Sequence, residues 1–333
     1  MKNNINVLVT GASNGVGQSI IRSLKLSKIK IRIIVGDIDI SYKEIFKDKV
    51  HEKIVIPKVE SLGSKKWFVN LLNKKKIDIL FVGSEYEISF FSKNKKQIER
   101  KTKTLICVSP IDTIKISLDK YKTYEFLKHN NFPCPKTYLP KNISDAKKIV
   151  KRLKTPFFLK DRFGTSSRNI FLIKNKKFIS GLYNFVPNPI LQEFAGYKKN
   201  NIDNEFTCGI FTTQEQELVG PFIAKRTLKN GTSWKVEVVQ NEKVKKLVIK
   251  IARKLKNIGS LNIQLRDSSK GPIPIEFNSR FSGTTSIRSF FGFNEPEMFI
   301  QNYFLNKKTI KPTIKFGKAY RFTEEVYKIN KKR

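Results

Sequence analysis

Acidic residues are scarce in this chain: 28 Asp and Glu stand against 66 Lys and Arg in 333 residues, for a formal charge of +38. Cysteine, with three residues, and histidine, with two, are rarer still. Cys107, Cys134 and Cys208 are odd in number, widely spaced and form no Cys-x-x-Cys pair. Neither a disulfide framework nor a thiolate zinc site is therefore expected. His51 and His129 alone are too few for an imidazole metal centre. Long apolar runs are absent as well. The longest, such as Ile77 to Val82, fall far short of the roughly 20 residues a bilayer span needs. Asn3 and Asn4 follow Met1-Lys2 and Gly11 soon breaks the run, which argues against a signal peptide. The expected location is cytoplasmic, with no membrane partner.

What is present points to a folded protein. Hydrophobic residues make up 39% and aromatics 11%, with 26 phenylalanines. That is too apolar for a disordered basic tail. The charge invites a nucleic-acid reading, which predicts steeply salt-dependent binding. However, lysines are spread over every segment, and the longest basic runs, Lys74-Lys75-Lys76 and Lys331-Lys332-Arg333, are short. A polyanionic small substrate such as a nucleotide is the more economical partner, and no nucleic acid is expected.

Hydrophobic patterning divides the chain near Pro110. Ile5 to Val9, Ile31 to Val35, Lys53 to Ile56, Ile77 to Val82 and Thr104 to Val108 read as strands. They alternate with helical segments around Ile20-Ile21-Leu24 and over Lys65 to Asn73. This order predicts a parallel sheet with helices on both faces. Beyond it the order is α+β. Helices are expected over Leu118 to Asn130, Ser144 to Leu153 and Lys243 to Lys256. Strands are expected at Phe157 to Lys160, Ile170 to Ile173, Ile190 to Phe194 and Phe206 to Phe211. A hairpin is expected from Leu261 to Leu265 and Ile273 to Phe277.

Two constellations could carry chemistry. Thr10-Gly11-x-x-x-Gly15-x-Gly17 matches a dinucleotide-binding turn, and Tyr124 and Lys128 have the Tyr-x-x-x-Lys spacing of short-chain dehydrogenases. That NAD(P)-dependent oxidoreductase reading leaves the last two hundred residues unexplained. The other constellation lies near the C-terminal end. Gln264 sits on one strand; Glu276, Asn278 and Arg280 share a face of the next by period two. Carboxylate and amide oxygens on paired strands suit a hard cation such as Mg²⁺.

The stretch Ile275-Glu276-Phe277-Asn278-Ser279-Arg280 resembles the Glu-x-Asn-Pro-Arg signature of the ATP-grasp superfamily, with Ser279 in the place of Pro. Asn262-Ile263-Gln264-Leu265 resembles the strand supplying the other metal ligand, which is also Gln in carbamoyl-phosphate-synthase large-subunit-like ligases. The resemblance covers about residues 110 to 305. It implies an α/β protein with a Rossmann-like (pre-ATP-grasp) domain over residues 1–112. An α+β ATP-grasp domain over 113–305 would follow, with subdomains of about 113–190 and 191–305, and then a strand-bearing extension over 306–333.

The resemblance also implies a function, that of an ATP-dependent carboxylate–amine ligase. Lys120, Lys160, Ser166 and Ser167 would hold phosphates. Gln192, Glu193 and Phe194 would form the hinge that takes adenine, and Glu205 would bind ribose. Gln264, Glu276 and Asn278 would hold Mg²⁺, two ions being expected and Mn²⁺ a substitute. Arg280 and Lys225 would be catalytic. Ser282, Gly283, Thr284, Arg288 and Glu85 would face the substrates, and Gly231-Thr232-Ser233-Trp234 would be a turn closing over them. The expected partners are a small-molecule carboxylate and amine, and a homodimer is compatible with the reading. Two departures stand out: Asp161 replaces the usual Pro after the phosphate-binding lysine, and the phosphate loop Arg162 to Asn169 has a single glycine, Gly164.

Overall fold

The computed structural model describes residues 4–39, 46, 50–165, 168–196, 204–308 and 311–327. Strands β1 (Ile5–Thr10), β2 (Ile31–Asp37), β3 (Glu52–Val55), β4 (Ile79–Val82) and β5 (Leu105–Cys107) form one sheet in the order β3-β2-β1-β4-β5. All four pairings are parallel. Burial on both faces accounts for the nearly continuous apolar runs of β1 and β4. The helices Ser64–Lys74 and Glu85–Thr102 cover one face through Phe68, Leu72, Ile88 and Phe91. The other face packs on helix Gly15–Lys25 and, beyond it, on Phe211, Phe281, Phe293 and Phe299 of the second half of the chain. Phe81 of β4 meets Phe281 and Phe299 edge to face, with ring centroids 5.3 and 5.6 Å apart. The two halves thus share one hydrophobic core.

The first glycine turn serves this packing. Gly11 takes φ +54, and a Cβ on Gly17 would lie 2.2 Å from the Gly11 carbonyl oxygen. Glycine is required here for the helix to approach the strand, whatever the turn binds.

The helix expected over Leu118 to Asn130 is observed as Lys120–His129, and a further helix, Ile111–Leu118, precedes it. Asp119 between them is extended (φ −109, ψ 107), and its carboxylate accepts from the Tyr121 and Lys122 N–H groups. This Asp N-cap starts the second helix.

A four-stranded antiparallel sheet follows: β6 (Thr137–Tyr138), β7 (Phe157–Asp161), β8 (Ile170–Ile173) and β9 (Pro189–Glu193), in the order β6-β9-β7-β8. Helix Ile143–Arg152 packs behind it through Ala146 and Val150, against Phe157, Leu159 and Leu191. The last sheet holds β10 (Glu205–Thr212), β11 (Leu218–Lys229), β12 (Thr232–Val238), β13 (Gly259–Arg266), β14 (Ile273–Asn278) and β15 (Lys318–Tyr320), in the order β14-β13-β10-β11-β12-β15. Helix Glu242–Lys254 buries Val244, Val248 and Ile251 against one face of it, on Phe206, Cys208, Ile263 and Phe277. The opposite face is apolar at one end, where Phe211, Phe222, Ala224 and Val236 join the core shared with the parallel sheet, and polar at the other, where Glu205, Arg226 and Gln264 line a cleft against the four-stranded sheet.

The hairpin β11–β12 was not legible as strands. Of the expected turn over residues 231–234, only Gly231 turns the chain, together with Asn230. Both have positive φ (71 and 50), and Thr232, Ser233 and Trp234 belong to β12. Among the described residues, no helix is long and apolar enough to cross a membrane.

Candidate active site

Two connected clefts meet on the polar face of the large sheet. One, of about 300 Å³, lies between the two antiparallel sheets and is lined by Phe158, Lys160, Gln192, Glu205 and Arg266, among others. The other, of about 310 Å³, opens toward the parallel sheet and is lined by Gly15, Glu85, Asn278, Arg280 and Gly283, among others. Lys120, Arg226, Gly231, Gln264 and Glu276 line both. The second cleft reaches the loops after β1 and β4, where neighbouring connections of the parallel sheet diverge. Open α/β sheets bind ligands at that point.

The first cleft is built around buried positive charge. Lys160 is 7% exposed at the end of β7, and its Nζ donates to Gln192 Oε1 at 2.7 Å. The Gln192 amide in turn donates to Thr137 Oγ1 at 2.8 Å. Burial, and then the charges of Lys120 and Arg266, press the Lys160 ammonium down to about 7, against the opposing pull of Glu276. An ammonium so placed gains most from an anion. Lys120 Nζ donates to the Gly164 carbonyl of the β7–β8 loop. Arg162 clamps the same loop to Asp119 through two bonds of 2.7 and 2.6 Å. Burial works against the Asp119 charge, but Arg162 and the two N–H donors hold its carboxyl below the usual range. Asp161, in the place of the expected Pro, accepts from the Phe163 N–H at 3.1 Å and so shapes the loop itself. Ser166 and Ser167 lie outside the described residues.

On β9, Gln192 faces the cleft. Glu193 follows on the other side by strand alternation, opposite Phe157, so its side chain is turned from the cleft, and its N–H donates to the Lys136 carbonyl at 2.9 Å. Phe194 does not line the cleft; its ring stacks on Phe158 at 5.7 Å, and Phe158 does line it. The Arg266 guanidinium lies over both rings.

Two sequence expectations need correction on the large sheet. Glu205 lies in the cleft, but its carboxylate is already engaged. It accepts from Arg226 Nε at 3.0 Å and lies 3.7 Å from Arg266 Nε, so it acts first on these guanidiniums. Lys225, expected at the phosphates, shares the face of Ile223 and Phe206, away from the cleft. Arg226, one residue on, occupies the cleft face and also donates to Gln264 Oε1 at 2.7 Å and to Ser233 Oγ at 3.2 Å. A shift of one residue reverses the face of a strand side chain.

Gln264 and Glu276 are direct cross-strand partners, as are Asn262 and Asn278. The Asn278 amide donates to Glu276 Oε1 at 3.0 Å. Among the described residues, no group of three or more His, Cys, Asp or Glu could hold a metal ion. One carboxylate beside amide oxygens, with Lys120 and Arg226 lining the same clefts, is too weak a cage for a bare cation. It fits Mg²⁺ that arrives with nucleotide phosphates, since this ion needs only one or two protein carboxylates then.

Toward the parallel sheet, Arg280 Nη2 lies 3.2 Å from Glu85 Oε1. Ser282, Gly283 and Thr284 line the second cleft. Arg288 does not, contrary to expectation: it is fully buried. Its guanidinium pairs with Glu295 at 3.0 Å and donates to Ser282 Oγ at 3.0 Å and Thr284 Oγ1 at 3.1 Å. It therefore holds the cleft wall from behind. A pattern of small residues ending in Arg cannot distinguish these two roles. Sequence reading missed Arg226, Arg266 and Arg321, all cleft residues in a chain where basic residues are commonplace; Arg321 comes from the tail that carries β15.

The dinucleotide reading is not favoured. Asp37, at the end of β2, is the residue that would have to meet a ribose, and its Oδ2 is engaged by the Ser13 N–H at 2.8 Å and Ser13 Oγ at 2.7 Å. Tyr124 lies on helix Lys120–His129, not in the cleft that contains Gly15. Burial raises its phenol pKa, where proton transfer near neutrality asks for the reverse.

Comparisons with known proteins agree with this geometry. Residues 202–325 match the family described as "ATP-grasp in the biosynthetic pathway with Ter operon". The chain is 27% identical over 99 residues to coenzyme gamma-F420-2:alpha-L-glutamate ligase of Methanocaldococcus jannaschii, a match spanning 28% of this chain and 34% of that protein. Its fold is that of N5-carboxyaminoimidazole synthetase from Staphylococcus aureus (TM-score 0.70, 16% identity, 93% of this chain and 80% of the other). It is also that of the biotin carboxylase domain of Hydrogenobacter thermophilus 2-oxoglutarate carboxylase, solved with MgADP (TM-score 0.71, 16% identity, 94% and 73%). The expected arrangement of a Rossmann-like domain followed by an ATP-grasp domain is the architecture observed.

Proposed function

We propose that this protein is an ATP- and Mg²⁺-dependent ligase that activates a carboxylate as an acyl phosphate and couples it to an amine. The observation that carries this reading is the buried Lys160 ammonium. It sits with Lys120 and Arg226 around a cleft whose open end holds the Gln264–Glu276 pair. Four basic side chains line that cleft against two carboxylates, Glu205 and Glu276, and a nucleotide polyphosphate with its metal balances the excess. The family match over residues 202–325 supports the same reading.

In this scheme Lys120, Lys160 and Arg226 bind phosphate oxygens. The loop after β7 covers them, and the backbone of Glu193 to Ala195 meets the base. Gln264, Glu276 and Asn278 would hold Mg²⁺, whose charge offsets that of the phosphates; two ions, with Mn²⁺ as a substitute, suit the same oxygen ligands. The substrate carboxylate oxygen attacks the γ-phosphorus, an O–P bond forms, and the bond to ADP breaks. The amine, oriented by Glu85, then attacks the acyl carbon. The C–N bond forms, phosphate leaves with the C–O electrons, and the amine's proton passes to water. Arg280, at the mouth of the second cleft, stabilises the oxyanion of that step. Residues 1–112 form the wall of the acceptor site, 113–305 the ATP-grasp domain, and 306–333 an extension.

ADP release over a panel of carboxylate and amine pairs tests the proposal. Pair-dependent ADP release, with one phosphate per amide formed, is the expected result. ATP turnover independent of both substrates, or no turnover with any pair, counts against it.

A further inference from the structure

The second cleft carries a cation that the scheme above does not use. Of its basic residues, Lys120 belongs to the phosphate end, as does Arg168, which is exposed on the β7–β8 loop; Arg226 is paired with Glu205, and Arg280 with Glu85. Arg321 has no carboxylate within ion-pair distance among the described residues. Its Nη2 donates to the Gly283 carbonyl at 2.6 Å. Its Nη1 is directed toward Gly15, where an added Cβ would stand 4.0 Å away. Both glycines line the cleft, and a Cβ on Gly283 would meet nothing within 4 Å, so the guanidinium flanks open space.

The tail is built to deliver this residue. Strand β15 pairs with β12 through Lys235 and Tyr320, and the Arg321 N–H continues the ladder to the Trp234 carbonyl at 2.8 Å. The residues just before Trp234, Gly231 to Ser233, line the same cleft. Burial and the nearby charge of Arg22 both disfavour the guanidinium charge at this place. A half-buried guanidinium with a second guanidinium nearby and no acid partner is matched by a ligand that brings its own anion.

On the ligase reading, we infer that one of the two substrates carries a second anionic group, carboxylate or phosphate, beyond the one that reacts, and that Arg321 binds it against the wall of Gly15 and Gly283. Arg321 is then a specificity residue: it acts on the part of the substrate remote from the reacting carbon.

Calorimetric titration of the full chain, at constant ionic strength and with ADP–Mg²⁺ present, tests this. The probes are butyrate, glutarate and 3-phosphonopropionate, which share a short carboxylate chain and differ in the second anion. The wild type should bind at least one doubly anionic probe tenfold or more tighter than butyrate, and which of the two is favoured identifies carboxylate or phosphate. Arg321→Ala should lose that preference. Lys246→Ala, which removes one exposed charge from the helix behind the large sheet, should keep it. Arg321→Gln, which retains a donor to Gly283, replaces the alanine variant if circular dichroism shows that the latter does not fold. Equal affinity for all three probes in the wild type, or a preference that survives in the folded Arg321 variant, overturns the inference. ADP release without that preference removes the subsite and leaves the ligase; the preference without ADP release for any substrate pair does the opposite.

Discussion

Glu205 and Arg226 face each other across the antiparallel strands β10 and β11, with Arg226 Nε 3.0 Å from Glu205 Oε1 and both side chains less than 10% exposed. The pair fixes the guanidinium beside Gln264, at the junction of the two clefts. The register that makes this pair puts Arg226, and not the adjacent Lys225, on the cleft side.

Replacing that residue and its neighbour should therefore give opposite results. Arg226→Ala should lower kcat/KM for ATP by about 10- to 100-fold, the usual worth of a hydrogen bond to a charged group. Lys225→Ala, on the far face, should stay within about threefold of wild type, as for a partly exposed surface charge. Steady-state ADP release decides it, and equal losses in both variants contradict the assignment of faces.

Glu276→Gln removes the one carboxylate of the proposed metal site while keeping its shape. ATP turnover should fall by at least ~10²-fold, as expected on losing a charge that stabilises the transition state. The circular dichroism spectrum should be unchanged. Wild-type ADP release by the folded variant would remove the metal assignment.

A Mg²⁺–ATP complex at a hundred times its Kd should stabilise the fold by about 2.7 kcal/mol, visible as a rise in Tm. NAD or NADP should produce none, because Tyr124 lies outside the cleft that contains Gly15 and Ser13 engages Asp37 Oδ2. A rise with NAD and none with ATP would reverse the functional reading.

Lys160 makes both stability and binding depend on pH. Its folded-state value, about 7, lies below the ordinary 10.5. Between those values the unfolded chain binds more protons than the folded one, so stability should rise with pH across that window. Lys160→Met should remove this contribution, seen as the difference between wild-type and variant urea midpoints at pH 7 and pH 9. Phosphates bound beside the ammonium raise its pKa again. Nucleotide binding near pH 8 should therefore take up protons, and the calorimetric enthalpy should differ between HEPES and Tris for the wild type only.

Arg288 and Glu295 form an ion pair that is wholly buried. Burial raises the Glu295 pKa, with Arg288 and Ser260 opposing it. Removing only the arginine leaves a buried charge, so Arg288→Ala should cost about 3–5 kcal/mol. A double replacement of Arg288 and Glu295 by methionine should recover part of that loss. Denaturation curves measure both. A single variant with wild-type stability and a raised substrate KM would return Arg288 to the cleft.

Several parts of this protein were readable from residue order. Period two separated Glu276 and Asn278 from Phe277, and the structure puts the first pair on the cleft side and Phe277 under helix Glu242–Lys254; Ile275, expected on the face of Phe277, lines the first cleft instead, where β13 and β14 shift register. Apolar runs ending in Gly11 and Gly83 marked two strands of a parallel sheet, because burial on both faces leaves no polar alternation. The scarce acids were informative for a similar reason: a carboxylate within an apolar strand has few stable placements. Other features were hidden. The basic side chains of a lysine-rich chain look alike, so nothing local distinguished Arg226 from Lys225, or Arg321 from the rest of the tail.

The amino-acid order by itself determined many of the elements, though not β11 and β12, and the polar face of the last hairpin, since these follow from side-chain periodicity and turn residues over short distances. Only the tertiary structure decided which charges are used. Strand register selected Arg226 over Lys225, and burial withdrew Arg288 into a structural pair. An edge strand more than three hundred residues from the first glycine turn brought Arg321 beside Gly15. Those outcomes depend on desolvation and on contacts between distant segments, which exist only once the chain has closed on itself.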